Sequence, residues 1–128
     1  MFNSLDVLQT AMDVARHAGA RQAVTAANLA NADTPGYRAR SIAPFSEVYD
    51  SAPTGGLHRT RPGHLSTGQG FGSAARPEFT DADPAPNGNS VSIEQEMLSA
   101  VEIGREHSRA LTIYQHSLDL LRLSIGRR

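Results

Sequence analysis

Residues 93–125 read IEQEMLSAVEIGREHSRALTIYQHSLDLLRLSI and contain a regular apolar ladder. Its members follow one another in alternating steps of four and three residues: Ile93, Met97, Ala100, Gly104, His107, Leu111, Tyr114, Leu118, Leu121 and Ile125. Such a repeat, here interrupted by the polar His107, is typical of a long helix whose apolar stripe packs against another helix. The stretch therefore predicts a long C-terminal helix that is paired along much of its length.

The ends of this predicted helix are marked by residues that favour helix termini. Ser92 followed by Gln95 fits a capping box, in which both side chains accept hydrogen bonds from otherwise unpaired backbone amides. Gly126 predicts a left-handed residue that stops the helix. At 1.5 Å per residue the helix would be about 50 Å long, so we expect a partner along most of it.

The last turns of the predicted helix are apolar on nearly all sides. Successive residues are about 100° apart around a helix, and the apolar ones here spread around most of the circumference. They are Leu118, Leu120, Leu121, Leu123 and Ile125. Because a helix that is apolar all round is buried all round, we expect several neighbours, including other copies of the chain. The alternative is an ordinary core helix of a globular domain.

A second, weaker ladder lies near the N-terminus, with Ser4 as its expected N-cap. Its members are Leu5, Leu8, Met12, Ala15, Gly19, Gln22, Ala26 and Leu29. The small residues let another backbone approach closely but bury less apolar area. We therefore predict an all-α fold in which the long N- and C-terminal helices pair as a coiled coil. Because this pair buries little, we expect it to be labile in the lone subunit and to gain order on assembly.

The composition excludes several classes of protein. The 128 residues suit one domain, but 39% hydrophobic and 5% aromatic residues are lean for a compact core. The net charge of −1 gives no reason to expect nucleic acid, and the absence of cysteine excludes disulfides and thiolate metal sites. No apolar run is long enough to span a bilayer, and residues 1–10 lack the basic start of a cleavable secretory signal. We expect no direct membrane insertion and, if the protein is exported, a different route.

The middle of the chain differs sharply from both ends. All seven prolines lie between Pro35 and Pro86, so no long helix fits there. We divide the chain into an N-terminal axial helix (1–34), a Gly/Pro-rich irregular insert (35–90) and a C-terminal axial helix (91–128). The insert is either a loop-rich linker or an excursion folded back on the helices. Its expected features are short strands at Ile42–Val48 and around Phe79, anchors at Phe45, Val48, Tyr49 and Leu57, and a mobile Gly68–Gly72.

Residues 27–37 read ANLANADTPGY and end the predicted N-terminal helix. Pro35 pushes the residue before it out of the helical region, and Gly36 accommodates the positive φ of a type II turn. Asn28 and Asn31 lie on one helix face, where their side chains can bond to the turn backbone or to a neighbouring chain. The residues themselves predict a helix end followed by a turn.

The same string resembles the signature near the N-terminus of the flagellar axial proteins, the family that builds the rod, hook and hook–filament junctions of bacterial flagella. The matching positions are Asn28, Asn31, Thr34, Pro35, Gly36 and Tyr37. A second block, PNGNSVSIE at residues 86–94, resembles a short proximal rod subunit through Gly88, Asn89, Val91 and Glu94. The alternative within the family is the other short subunit, FlgC, in which this block usually reads Pro-Asn-Val-Asp.

The resemblance implies a structural subunit with no cofactor. Copies would polymerise into the proximal rod of the basal body, in the periplasmic space, and form part of the drive shaft that transmits motor torque for motility. The flagellar type III export apparatus would export the chain without a cleavable signal peptide. The implied partners are other copies of the chain, FlgC-like rod proteins, the rod adaptor FliE and the MS-ring protein FliF. The expected assembly seam comprises Leu5, Leu8, Met12, Ala15, Leu29, Ile93, Met97, Ala100, Leu111, Tyr114, Leu118, Leu121 and Ile125.

The sequence predicts no enzyme and no metal site. The five histidines form no compact ligand set, because three fall on predicted helices and two fall in the insert. They are His17, His107 and His116 on the helices, and His58 and His64 in the insert. Asp81 and Asp83 lack the rest of a calcium loop, and no nucleophile motif is present. The alternatives from other classes are a helical homo-oligomeric adaptor and a secreted enzyme whose site lies in the insert.

Overall fold

The computed structural model describes residues 2–51 and 76–126. It confirms two long terminal helices, and the described part of the insert between them contains two short strands and one short helix. The elements in chain order are helix α1 (Phe2–Ala30), strand β1 (Arg40–Ser41), helix α2 (Phe45–Ser51), strand β2 (Glu78–Phe79) and helix α3 (Ile93–Ile125). The predictions for Leu57, His58, His64 and Gly68–Gly72 lie outside the described residues.

Helix α3 has the predicted bounds, but its ends differ from the prediction. Ser92 has the extended backbone of an N-cap, yet its side chain makes no capping hydrogen bond, so the predicted capping box is wrong. Glu94 and Glu96 in the first turn instead complement the helix dipole. Gly126 has a right-handed φ of −81°, and its N–H donates to the Arg122 carbonyl at 2.8 Å. The predicted left-handed stop is therefore also wrong.

Helix α1 begins earlier than predicted and ends beside the predicted turn. It starts at Phe2, so Ser4 lies inside its first turn, and the prediction of an N-cap at Ser4 is wrong. The helix ends at Ala30, and the Asn31 N–H continues the helical hydrogen bonding by donating to the Ala27 carbonyl at 3.2 Å. The end of α1 thus presents both asparagines of the sequence motif to the turn that follows.

Helices α1 and α3 pack against each other in an antiparallel arrangement, with the end of α1 beside the start of α3. Buried side chains recur every seven residues on each helix: Ala11, Ala18 and Thr25 on α1, and Ile103 and Ala110 on α3. All of these except Ile103 are small, so the backbones can approach closely while little apolar area is buried. The contact between the two helices is therefore narrow and built largely from small residues.

This contact lies one residue away from the predicted ladders. On α1 the buried residue is Ala11 rather than Met12, and on α3 it is Ala110 rather than Leu111. Because one residue turns a helix by about 100°, the shift moves the ladders out of the contact. The prediction that they face each other within one chain is wrong for the exposed members, which are Leu5, Met12, Leu29, Ile93, Met97, Leu111 and Ile125. The half-buried members are Leu8, Ala15, Ala100, Tyr114, Leu118 and Leu121.

The described part of the insert lies against the helix pair. Strands β1 and β2 form an antiparallel pair, with Arg40 opposite Phe79. The strand predicted around Phe79 is therefore confirmed. The strand predicted at Ile42–Val48 is wrong, because the Pro44 carbonyl accepts two hydrogen bonds, at 3.1 and 3.3 Å, that start helix α2. Proline at this boundary favours a helix start over a strand.

Helix α2 is anchored on α1, in part through the residues expected to anchor the insert. Val48 is buried and Phe45 is half-buried, whereas Tyr49 is 51% exposed. The Phe45 ring lies edge-on to the ring of His17, with centroids 5.5 Å apart. These contacts place a single short helix over the middle of α1.

Candidate functional site

The structure brings the two sequence motifs together at the end of the helix pair. We call this region the junction: it comprises residues 28–41, which include the end of α1 and the segment after it, and residues 85–96, which include the segment before α3 and its first turn. In it, the Gly36 N–H donates to the Asn87 carbonyl at 3.0 Å, and the Ser90 N–H donates to the Tyr37 carbonyl at 3.1 Å. The two motifs, more than fifty residues apart in sequence, therefore form one hydrogen-bonded unit.

Asn28 is the central residue of the junction and is 1% exposed. Its Nδ2 donates to the Arg40 carbonyl at 2.7 Å and to Glu96 Oε1 at 2.8 Å. Its Oδ1 accepts the Arg40 N–H at 3.1 Å and the Tyr37 hydroxyl at 3.4 Å. Both donors and both acceptor positions of the amide are used. One buried side chain thus ties α1 to strand β1 and to the first turn of α3.

Asn89 plays the complementary role from the other motif and is 3% exposed. Its Nδ2 lies within hydrogen-bond distance of three carbonyl oxygens, those of Asn31 at 3.0 Å, Ala32 at 2.6 Å and Thr34 at 3.0 Å. Its Oδ1 accepts the Val91 N–H at 2.8 Å. All three carbonyls belong to the turn that follows α1, which ends at Ala30. Asn89 therefore ties this turn to the segment that leads into α3.

Two glycines allow the motif backbones to approach each other. Gly36 and Gly88 have φ values of +72° and +79°, a region in which other residues are strained. A Cβ atom added to Gly88 would lie 3.3 Å from the Gly36 Cα. The positive φ predicted for Gly36 is confirmed, and Gly88 has the same backbone requirement together with a close neighbour.

The remaining motif residues lie around this centre. Asn31 is half-buried; its Nδ2 donates to the Ala27 carbonyl at 2.8 Å, and its Oδ1 accepts the Thr34 hydroxyl at 3.3 Å. Pro35 and Glu94 are exposed, and Val91 is half-buried. The structure therefore gathers most of the motif residues but leaves Glu94 outside the network.

Two functional residues of the junction were not singled out from the sequence. Glu96 receives the Asn28 side chain, and Ser90 Oγ accepts the Ala39 N–H at 2.8 Å. The sequence signal for Glu96 is its spacing of seven residues from Ile103, which places both residues on one face of the helix. Because Ile103 is buried against α1, Glu96 also lies on the side of α3 that faces α1. Ser90 gave no comparable signal, since its role depends on how the insert folds back.

The middle of the helix pair carries one further polar contact. Arg21 of α1 and Glu106 of α3 form an ion pair at 2.9 Å, with side chains that are 18% and 30% exposed. Because both groups are partly shielded from water, this pair is stronger than a fully exposed one. Together with Asn28 and Glu96 it fixes how far one helix is shifted along the other.

The polar groups of the junction connect α1, the turn that follows it and α3. Their polar atoms are used in hydrogen bonds between backbone segments, and the described residues contain no group of three or more His, Cys, Asp or Glu able to hold a metal ion. Asp81 and Asp83 are both exposed. Across the part of the chain that the structure describes, no helix is both long and apolar enough to span a membrane. The hydrogen bonds of the junction attach α1 to α3.

Comparisons with known proteins agree with this picture. Residues 5–38 match the family model of the flagella basal body rod protein, a range that covers most of α1 and the first motif. The chain is also similar to the flagellar basal body rod protein FlgB of Agrobacterium fabrum strain C58. The two are 33% identical over 91 residues, which cover 68% of each chain.

Proposed function

The chain belongs to the flagellar basal body rod protein family, and from that premise we propose that it is the FlgB-type subunit of the proximal rod. In this role, copies of the chain polymerise into the drive shaft that transmits motor torque for motility. The similarity to FlgB of Agrobacterium fabrum supports this member of the family. The second sequence motif supports it as well, because it reads Gly-Asn-Ser-Val before α3 rather than Pro-Asn-Val-Asp. FlgC is the alternative within the family.

The observation that carries the proposal is the row of large apolar side chains left uncovered on the helix pair. Met97 is 57% exposed and Ile125 is 80% exposed, and Leu111 lies between them on the same helix. Burying a side chain of this size contributes about 1.5–3 kcal/mol. In the proposed rod, the seam residues of one copy pack against helices of neighbouring copies, which completes a coiled-coil arrangement that a single chain leaves open.

The junction supports the same proposal in a different way. A torque-bearing subunit needs its two axial helices to move as one body. Asn28 connects the two helices directly, and Asn89 connects the turn after α1 to the segment that leads into α3. Both side chains are buried, where their directional hydrogen bonds are strengthened. We propose that residues 1–34 and 91–128 form the axial pair in the rod, and that residues 35–90 form an insert outside it.

The proposed setting follows from the family. The partners are other copies of the chain, FlgC-like rod proteins, FliE and the MS-ring protein FliF, and the location is the periplasmic part of the basal body. Delivery is by the flagellar export apparatus. We propose no enzyme activity for the chain, no binding to nucleic acid and no direct insertion into a membrane. A generic homo-oligomeric adaptor is the alternative from another class.

Complementation distinguishes the two members of the family. We expect the gene to restore swimming in a flagellated strain that lacks FlgB, and to leave a strain that lacks FlgC non-motile. Restoration of the second strain alone would assign the chain to FlgC. Failure in both, together with a stable discrete oligomer of the purified chain in sedimentation, would favour the adaptor.

Crosslinking in assembled basal bodies tests the seam itself. The chain has no cysteine, so a single introduced thiol reports one position. We expect Met97→Cys to form disulfide-linked dimers between copies under oxidation. The control is Asp83→Cys, at an exposed residue of the insert, which should stay monomeric. Equal crosslinking of both variants would contradict a seam at Met97.

A further inference from the structure

Helix α1 carries a buried histidine that takes no part in the junction. His17 is 4% exposed, and in the described part of the chain neither Nδ1 nor Nε2 has a hydrogen-bond partner. Its ring lies edge-on to the ring of Phe45 in α2, with planes at 73° and centroids 5.5 Å apart. Leaving a buried polar group unpaired costs free energy. The ring therefore packs here as an apolar group, and it does so best without a charge.

The charged groups around His17 come from three helices. On α1, the buried Asp13 lies one turn before it and Arg21 one turn after it. On α3, Glu106 is already paired with Arg21, and α2 carries Glu47 in its first turn. Burial lowers the pKa of His17 below the ordinary value of 6.5; Arg21 lowers it further, and Glu106 opposes the shift. The ring is accordingly neutral at neutral pH.

We propose that His17 is an acid-sensitive latch beneath α2: when the ring binds a proton, α2 lifts from α1 and the ring reaches water. A protonated imidazole has two N–H donors, and among the described residues neither ring nitrogen has a hydrogen-bond partner. The element that yields is α2, because it has seven residues whereas α1 and α3 have 29 and 33. The hydrogen bonds of Asn28 and Asn89 described above involve no residue of α2. This inference does not depend on the proposed function.

The direction of the pH dependence follows from proton linkage. With α2 in place, His17 has a pKa below 6.5; with α2 released, the ring is hydrated and its pKa returns toward 6.5. The released state therefore binds more protons in the interval between the two values. The contribution of neutral His17 to α2 docking is complete above about pH 6.5 and is lost as the pH falls through the lowered pKa.

Hydrogen–deuterium exchange of the full chain tests the latch. Protection of the α2 amides, corrected for intrinsic exchange rates, is compared at about pH 7.5 and about pH 5. In the wild-type chain we expect α2 protection to fall at least about fivefold at the lower pH. The variant His17→Phe keeps an aromatic ring and cannot be protonated, so its α2 protection should stay constant. The matched control His116→Phe, at an exposed position of α3, should respond as the wild type does.

Several outcomes would overturn the proposal. These are equal α2 protection at both pH values in the wild-type chain, an acid-induced loss that persists in His17→Phe, and an absence of α2 protection at neutral pH. If phenylalanine overfills the site and lowers the helix content, His17→Leu replaces it. If both variants lose helix content, NMR of the wild-type chain decides, because the His17 ring signals and the α2 amide signals must then change over the same pH range.

Discussion

The junction and the exposed ladder involve the same two helices but differ in burial and in the kind of contact that they make. In the junction, Asn28 and Asn89 are buried and hydrogen-bonded within one chain. Along the ladder, Met97, Leu111 and Ile125 are exposed, and no other part of the described residues buries them. The junction is therefore complete within one chain, whereas the ladder is completed by other copies in the rod that we propose.

The difference reflects the two kinds of interaction. Hydrogen bonds are directional and lose their value with small displacements, so a buried polar network specifies one alignment of the helices. Apolar burial is non-directional and scales with area, so it drives association once the alignment is set. In the proposed rod, the junction therefore sets the alignment within one chain, and the exposed ladder drives association between chains.

Truncation of the central asparagine should be the most damaging change. Asn28→Ala leaves the Arg40 backbone and the Glu96 carboxylate without partners in a buried site, and we expect a loss of about 3 kcal/mol in the free energy of unfolding. The control is Asn31→Ala, whose side-chain bond to Ala27 is exposed, and it should lose less than about 1 kcal/mol. Urea unfolding followed by far-UV circular dichroism measures both. Equal losses would mean that the network does not define the alignment.

Alanine at two glycines should have effects of opposite sign. Gly88→Ala places a side chain at a φ of +79° and 3.3 Å from the Gly36 backbone, so we expect a loss of about 2 kcal/mol. Gly104→Ala lies in the interior of α3, where no described residue outside the helix's own nearby backbone comes within 4 Å of the new Cβ, and it should gain about 0.5–1 kcal/mol. Thermal unfolding of both variants checks the pair. A neutral Gly88→Ala would show that the two motif backbones can separate at little cost.

The ion pair in the middle of the helices should contribute less than the junction. A double-mutant cycle with Arg21→Met and Glu106→Gln should give a coupling of about 1 kcal/mol that falls as salt is added. The cycle cancels the loss of packing by each side chain, which the single variants cannot do. A coupling energy larger than the loss measured for Asn28→Ala would mean that the ion pair, rather than the junction, mainly aligns the two helices.

The sequence predicted the elements of this fold better than it predicted their contacts. The seven-residue repeat correctly predicted the bounds of α3, and the turn residues correctly predicted the positive φ of Gly36. The repeat also led to the wrong face for the contact within the chain, because the largest apolar residues define the ladder whereas small residues such as Ala18 form the contact. A pattern of hydrophobicity reports which side chains leave water, but not whether the same chain or another one covers them.

The junction was predictable in its residues but not in its bonds. Asn28 and Asn89 each belonged to a motif, but the sequence could not show that Asn89 binds the carbonyls of the turn after α1. That contact joins segments 55–58 residues apart and depends on the path of the insert between them. Helix α2 was missed because a strand was predicted from Ile42 to Val48, whereas Pro44 sets the local backbone for a helix start.

The smallest expected effect on stability belongs to the ladder, and it gives the sharpest contrast with the junction. Met97→Gln replaces an exposed apolar side chain by a polar one of similar length, so we expect the free energy of unfolding of the single chain to change by less than about 0.5 kcal/mol. The control is Ile103→Val, at a position that is 2% exposed, which should lose about 1 kcal/mol.

In assembly the order of these two variants should reverse. Met97→Gln places an amide where the proposed rod buries a thioether, so complemented cells should swim poorly although the subunit folds as well as the wild type. Ile103→Val weakens the subunit but leaves the outer surface of the pair unchanged, so swimming should be close to wild type. If both variants swim normally, Met97 faces no neighbour in the rod. If Met97→Gln instead destabilises the single chain as much as Ile103→Val does, the ladder is covered within the monomer, and the division between an internal junction and an external ladder fails.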